Sequence, residues 1–166
     1  LEKMEQHISD ILLYSSIGSD DTEKQHTDVN QVVKDLKKIL FIPRHIKVDI
    51  LNKLPVIVGE RAKLQQLFQN LISNAIKFND KNKGFIEIDV LEKKSFYQFS
   101  IKDNGPGIEK KYHDKIFKIF HSLNASNSSS GIGLAIVKKI VNLFNGEIWL
   151  ESELNEGATF YFTLKK

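Results

Sequence analysis

The stretch Leu67-Phe68-Gln69-Asn70-Leu71-Ile72-Ser73-Asn74-Ala75-Ile76-Lys77-Phe78 decides how this chain is read. Extended back to Arg61, its apolar residues Leu64, Leu67, Phe68, Leu71, Ile72, Ala75 and Ile76 keep a three-four spacing over five turns, which predicts one amphipathic helix from about Arg61 to Phe78. At 100° per residue, Asn70, Asn74 and Lys77 fall within an arc of about 60° bordering that stripe. Two amides and an ammonium in that position have two readings. They are boundary residues making local hydrogen bonds, or they hold a divalent cation and phosphate oxygens. Amide oxygens are acceptable hard-cation ligands, and a lysine is a mobile point charge for phosphate.

Beyond the helix, 79–84 is polar and ends in Gly84; the alternating runs Phe85 to Leu91 and Phe96 to Asp103, joined by 92–95, then predict a β-hairpin. Tyr97, Phe99 and Ile101 share one face of the second run, and a period of two puts Asp103 on that same apolar side. The segment Asp103-Asn104-Gly105-Pro106-Gly107 is good turn chemistry, with Asp103 as an Asx cap. Alternatively, the inward carboxylate accepts from a donor on a flat ligand such as an exocyclic amine, and Gly105 and Gly107 let the backbone approach it. A helix is expected near Glu109 to Phe120. Residues 122–130 are rich in serine and carry no charge, as suits either a plain loop or a lid that orders over a ligand. Gly131-Ile132-Gly133 opens a further expected helix to Phe144, and a Gly-x-Gly at a helix start offers unpaired N–H groups to an anion. Strands are expected at 147–152 and 158–164, around a turn at Asn155-Glu156-Gly157.

Toward the other terminus, Asp28 is a plausible N-cap for a helix carrying Val29, Val32, Val33, Leu36, Ile39 and Leu40 and closed by Pro43. Strands follow at Ile46 to Ile50 and Val56 to Val58. Residues 1–17 carry their own helical stripe, and 18–28 are polar throughout and read as a linker. The expected division is 1–18 an appended helix, 19–27 a linker and 28–166 the main domain. Helices and strands that do not alternate regularly predict an α+β two-layer sandwich, a mixed sheet with helices on one face, preceded by one isolated helix.

Composition removes several classes of function. With 41% hydrophobic and 27% charged residues the chain is an ordinary folded domain, and with no cysteine it has no disulfide framework, thiolate zinc site or cysteine nucleophile. The net charge of +3 comes from scattered lysines rather than one basic stripe, which argues against a nucleic-acid partner. No apolar run approaches the roughly 18 residues of a membrane span, and the first residues do not form a signal peptide, so a soluble, cytoplasmic chain is expected.

Taken together, in this order and spacing, these clusters resemble the catalytic ATP-binding domain of sensor histidine kinases, the nucleotide fold also used by gyrase, Hsp90 and MutL. The resemblance covers essentially the whole chain. Leu67 to Phe78 resembles the family's N box, Asp103 to Gly107 its first glycine box, Ile116-Phe117-Lys118-Ile119-Phe120 its F box, Gly131 to Val137 its second glycine box, and Gly157-Ala158-Thr159-Phe160 its last. Five in register are highly specific.

The resemblance implies ATP and Mg²⁺ as cofactors. It makes Asn74 the metal ligand through its amide oxygen and places Asn70 and Lys77, the residues nearest the chemistry, beside the phosphates. Phe78 flanks the adenine, Asp103 accepts from its N6 amine, and Gly105, Gly107, Ile108 and Thr159 complete the base pocket. Gly131, Ile132, Gly133 and Leu134 hold the phosphates, with Phe120 at the end of the F box. The gyrase and Hsp90 branch has a glutamate where Asn70 stands; an amide cannot take a proton from water, so Asn70 favours a kinase over an ATPase.

Residues 1–17 resemble the end of the second dimerisation helix. The implied partners are the phosphoacceptor histidine domain of the same protein, a response regulator receiver domain and a second copy in a homodimer, in the cytoplasm or on the cytoplasmic side of a membrane-bound sensor. None of His7, His26, His45, His113 and His121 has the acceptor's sequence context. The family often has an additional glycine and a threonine where this chain has Ser129 and Ser130, and a basic residue in the lid, where this chain has only His121 at the edge. The alternatives are a nucleotide-sensing domain without chemistry and a standalone ATPase.

Overall fold

A computed structural model describes residues 2–18, 25–121 and 131–166. The serine-rich stretch 122–130, read as loop or lid, lies outside them, as do Leu1 and 19–24. The elements run α1 (Glu2–Ser16), β1 (His26–Asp28), α2 (Val29–Ile39), β2 (Ile46–Ile50), β3 (Val56–Val58), α3 (Arg61–Phe78), β4 (Gly84–Glu92), β5 (Phe96–Asp103), a 3₁₀ turn (Lys110–Tyr112), α4 (Gly133–Leu143), β6 (Ile148–Glu153) and β7 (Gly157–Lys165). Five strands form a mixed sheet in the order β2-β4-β5-β7-β6, parallel between β2 and β4 and antiparallel elsewhere. The expected α+β two-layer sandwich is what forms.

Alternation decides which face of the sheet the helices cover. Ile86 and Ile88 of β4, Phe99 and Ile101 of β5, and Phe160, Phe162 and Leu164 of β7 are all buried and share one side. On the other side Trp149 stacks on Tyr161 with ring centroids 5.4 Å apart. The α3 stripe lies on the buried side, where the ring of Phe68 meets those of Phe99 and Phe162 edge-on at 5.5 Å each, while the latter two stack at 5.1 Å. Helix α2 starts where expected, the Asp28 carboxylate accepting the Gln31 N–H at 3.2 Å. At the end of α4, Asn145 takes a left-handed φ of 52° and the Gly146 N–H closes on the Val141 carbonyl at 3.0 Å. A β-carbon on Gly146 would lie 1.7 Å from the Thr163 carbonyl oxygen, so glycine is required there.

The structure corrects the sequence reading in three places. The helix expected near Glu109 to Phe120 is a single 3₁₀ turn followed by further turns: Lys115, Lys118 and His121 each bond back three residues, and Phe120 breaks the run with a φ of 63°. The polar stretch read as linker contains β1, antiparallel to β3, with Thr27 buried and its hydroxyl donating to the Gly59 carbonyl at 2.8 Å. Three polar residues carry no periodic signal. Nor is the first helix isolated. Lys139 of α4 donates to the Tyr14 carbonyl at 2.6 Å and lies 4.3 Å from its ring centroid, and Ile17 is buried.

Replacing Phe68 by alanine empties the junction of α3 with the sheet. We expect a loss of about 3–5 kcal/mol, read as a lower urea midpoint; an unchanged midpoint would mean that the helix is not held by this contact.

Candidate functional site

Helix α3, the start of α4, the segment after β5 and the beginning of β7 surround a cavity of about 500 Å³. Sequence-expected residues Asn70, Asn74, Lys77, Phe78, Asp103, Gly107, Ile108, Gly131, Gly133 and Leu134 all stand on its wall. They come from segments up to about sixty positions apart, and no local pattern would bring them together.

At one end sits Asp103, the last residue of β5, 9% exposed. Its Oδ1 accepts the Gly105 N–H at 2.8 Å, and a second backbone bond comes from Ala158. No ion pair among the described residues involves it. Burial pushes its carboxyl above the usual carboxylate range, and the two backbone donors offset that only in part. A buried acid without a cation is suited to accept from a neutral donor. The backbone is drawn tightly around it: Gly107 has a φ of 73° and a β-carbon there would lie 2.0 Å from the Glu153 carbonyl oxygen, while Gly157, with a φ of 94°, would meet the Asp103 carbonyl at the same distance. The Ser152 hydroxyl locks this corner, accepting the Ile108 N–H at 2.8 Å and donating to the Gly157 carbonyl at 2.7 Å.

At the other end the polar arc of α3 faces the start of α4. A β-carbon on Gly133 would stand 3.8 Å from Asn70 Oδ1, so it is the α4 start rather than the sheet that covers Asn70. Its Nδ2 is buried without a hydrogen-bond partner among the described residues. Asn74 is half-buried, and the exposed Lys77 holds its ammonium 5.5 Å from the Phe78 ring centroid. The N–H groups at the glycine-rich start of α4, with the helix dipole behind them, complete a polar end with amide, ammonium and backbone donors.

Four expected residues are placed differently. Thr159 pairs with Lys102 and Glu151, which puts it on the sheet face opposite Asp103; Ala158, directly across from Asp103, takes the place on the cavity wall. Counting back by two from Phe160 and Phe162 would have found this. Phe120 is 61% exposed and off the wall, but its N–H donates to the Gly131 carbonyl at 3.0 Å and so ties the end of the F-box segment to the α4 start. Ile132 is a core residue, and Gly105 acts through its bond to Asp103. Sequence reasoning missed Gln66 and Ser73, and Gln6, Asp10 and Leu13 of α1, all on the wall together with His121, which the sequence placed at the lid's edge.

Residues 59–166 match the family model described as histidine kinase-, DNA gyrase B-, and HSP90-like ATPase. Cyanobacterial phytochrome B of Nostoc sp. is 39% identical over 99% of this chain and 23% of its own length. The adaptive-response sensory kinase SasA of Prochlorococcus marinus is 32% identical over 99% of this chain and 47% of its own. The chain therefore spans about a quarter to a half of these curated relatives. Among solved structures, the catalytic domain of histidine kinase ThkA is 25% identical with a TM-score of 0.71, covering 87% of this chain and 97% of that one. Full-length ShkA in complex with AMPPNP matches 96% of this chain and 35% of its own at a TM-score of 0.79 and 24% identity. The motif order, the fold and the family match agree: the chain belongs to the histidine kinase-, DNA gyrase B-, and HSP90-like ATPase family.

Proposed function

We propose that this chain is the ATP-binding catalytic domain of a two-component sensor histidine kinase, which positions Mg-ATP so that its γ-phosphoryl group passes to a histidine on a dimerisation domain. One observation carries the reading: a buried carboxylate without a cation, Asp103, shares a cavity with Asn70, Asn74, Lys77 and the glycine-rich start of α4. The first end is suited to adenine, through its exocyclic amine; the second is suited to phosphate. Phe78 and Ile108 supply apolar walls for the base.

The donor set fits a phosphate-borne metal. Among the described residues no group of three His, Cys, Asp or Glu side chains is placed to hold a cation by itself. Asn74 offers one amide oxygen, and Mg²⁺ characteristically keeps waters and phosphate oxygens as its remaining ligands. When bound, Mg²⁺ neutralises developing charge on the phosphates. Lys77 and the α4 N–H groups orient them. Asn70 donates a hydrogen bond and takes up no proton, so attacking water is not activated from this position. An incoming imidazole nitrogen attacks the γ-phosphorus, the bond to the β-phosphate oxygen breaks, and ADP leaves.

We place residues 28–166 in the catalytic domain and 1–18 at the end of the second dimerisation helix, with 19–27 between them. The phosphoacceptor domain of the same protein, a response regulator receiver domain and a second copy are the partners this assigns. No helix among the described residues is long and apolar enough to cross a membrane, and we assign the domain to the cytoplasm.

Three measurements test this. Asp103→Asn should weaken ADP at least tenfold by calorimetry, roughly the value of one hydrogen bond to a charged group; unchanged affinity would sink the adenine assignment. The same substitution should not destabilise the ligand-free protein at neutral pH. The folded protein holds the Asp103 carboxyl above its ordinary 3.8, so its contribution to stability is present at low pH and is lost as pH rises through the folded value. The difference in melting temperature should thus move in favour of Asp103→Asn between about pH 4 and pH 7.

With γ-labelled ATP and Mg²⁺, a supplied dimerisation domain bearing the acceptor histidine should gain acid-labile label. The chain incubated alone should gain none, since none of its five histidines has the acceptor's context. Label on the chain alone would refute that second expectation, and rapid phosphate release without transfer would favour an ATPase.

A further inference from the structure

The end of α2 and the residues after it carry apolar side chains that the core does not use. Ile39, which the helical spacing assigns to the stripe of α2, is 70% exposed, and Phe41 is 86% exposed. Their neighbours Leu40 and Ile42 pack against the core. Leu40 leaves the helix in an extended conformation, and in extended chain successive side chains alternate, so Phe41 turns outward because the residues on both sides of it turn in. A phenylalanine that exposed stands proud of the surface and does not line a groove.

Positive charge surrounds these two side chains. From Lys34 to Lys47 the sequence holds the cations Lys34, Lys37, Lys38, Arg44 and Lys47 against the single carboxylate of Asp35. The fold adds to them. The Ile46 N–H donates to the Pro43 carbonyl at 2.9 Å, closing a turn with exposed Arg44 and His45 at its tip, and the Gly84 N–H donates to the His45 carbonyl at 2.8 Å, which brings exposed Lys83 alongside. Carboxylates at hand are already engaged: Asp35 with Arg61 at 2.8 Å, Asp49 with Lys47 at 2.9 Å and Asp80 with Lys81 at 3.3 Å. Lys34, Lys37, Lys38, Arg44 and Lys83 make no ion pair among the described residues, although Lys38 adds its field to that of Arg61 at Asp35. Lysines that are scattered over the chain as a whole are thus gathered here around two apolar side chains.

We propose that this patch is a docking surface for an anionic lipid bilayer, with Phe41 and Ile39 entering the boundary between headgroups and acyl chains and the cations around them meeting the charged headgroups. In such binding, buried apolar area and attraction to anionic lipid add, and the electrostatic part falls off within a Debye length of the surface. Charge complementarity selects an anionic partner, and the two projecting side chains select among anionic partners. Nucleic acid would satisfy the cations but offers nothing to Ile39. An acidic protein would need a groove to receive the Phe41 ring, whereas a bilayer deforms around it. None of these residues stands on the wall of the cavity described above, so docking here does not require that cavity to be empty or filled.

Co-sedimentation with vesicles tests this, using phosphatidylcholine alone and phosphatidylcholine mixed with phosphatidylserine. The chain should partition onto the mixed vesicles and not onto phosphatidylcholine alone, and added salt should weaken the partition. Phe41→Ser should reduce it about tenfold, as loss of a buried aromatic side chain would. Lys38→Ser combined with Arg44→Ser should reduce it about fivefold for each cation removed. Because the side chains removed are exposed, both variants should keep the wild-type urea midpoint. In a Trp149→Phe background, Phe41→Trp leaves the substituted position as the only tryptophan, and its emission should shift to the blue on mixed vesicles as the ring leaves water. Equal partition onto both kinds of vesicle, or onto neither, would overturn the inference. So would partition that Phe41→Ser leaves unchanged or an emission that does not shift, since either means that the ring stays in water. A wild-type dimer on size exclusion that Phe41→Ser dissociates would also overturn it, because the patch would then belong to a second copy.

Discussion

The packing of Phe68 against Phe99 and Phe162 fixes the rotation of α3 about its own axis, and with it the position of every polar group that the helix brings to the cavity. Relative to Phe68, the residues Lys77, Asn70 and Asn74 lie about 180° to 240° round the helix. With the ring held against the sheet, they cannot reach the core. They turn instead to the side where the start of α4 arrives, with Gly133 next to Asn70. A rotation of one residue would move this arc by about 100° and bring Leu71 or Ser73 into its place. The aromatic cluster is thus the alignment device for the polar end of the site.

The opposite end depends on backbone contact. Gly107 and Gly157 come within van der Waals reach of the Glu153 and Asp103 carbonyls, and the Ser152 hydroxyl joins the two loops. Such closeness helps bury Asp103 at the edge of the cavity. The burial that pushes its carboxyl up also makes it a discriminating acceptor, because a buried donor or acceptor left unpaired is costly. Affinity and apo stability are therefore set against each other at this residue.

The long elements were legible because their patterns are periodic and their ends chemically marked. The α3 stripe runs five turns, the β4–β5 alternation is clean, and Asp103 was assigned inward by parity alone, as its burial bears out. The Asp28 cap worked for the same local reason. What escaped is what local pattern does not encode. β1 is three polar residues held by Thr27 and by pairing with β3 across more than twenty-five positions. The segment 109–120 has helical composition but is pulled into turns to bury Ile116 while its end bonds to Gly131. Thr159 was expected at the base pocket from the motif resemblance, whereas the period of two points to Ala158, which stands on the cavity wall. The docking of α1 through Lys139 depends on one lysine that composition cannot distinguish from any other.

Departures from local rules gather at one place. Among the described residues, a buried acid without a cation, two unpaired buried nitrogens, a phenylalanine at positive φ and glycines at positive φ at 107, 131 and 157 all lie on the cavity wall or one bond from it. Away from it, positive φ at Gly18, Asn145 and Asn155 marks the ends of helices and a tight turn, where such geometry is ordinary. Natural chains break local rules mainly at functional sites, and here the departures gather around one cavity. That conclusion needs no relative. It rests on where the strain is, in a cavity with an acid in an apolar surround at Asp103 at one end and amides and a cation at Asn70, Asn74 and Lys77 at the other.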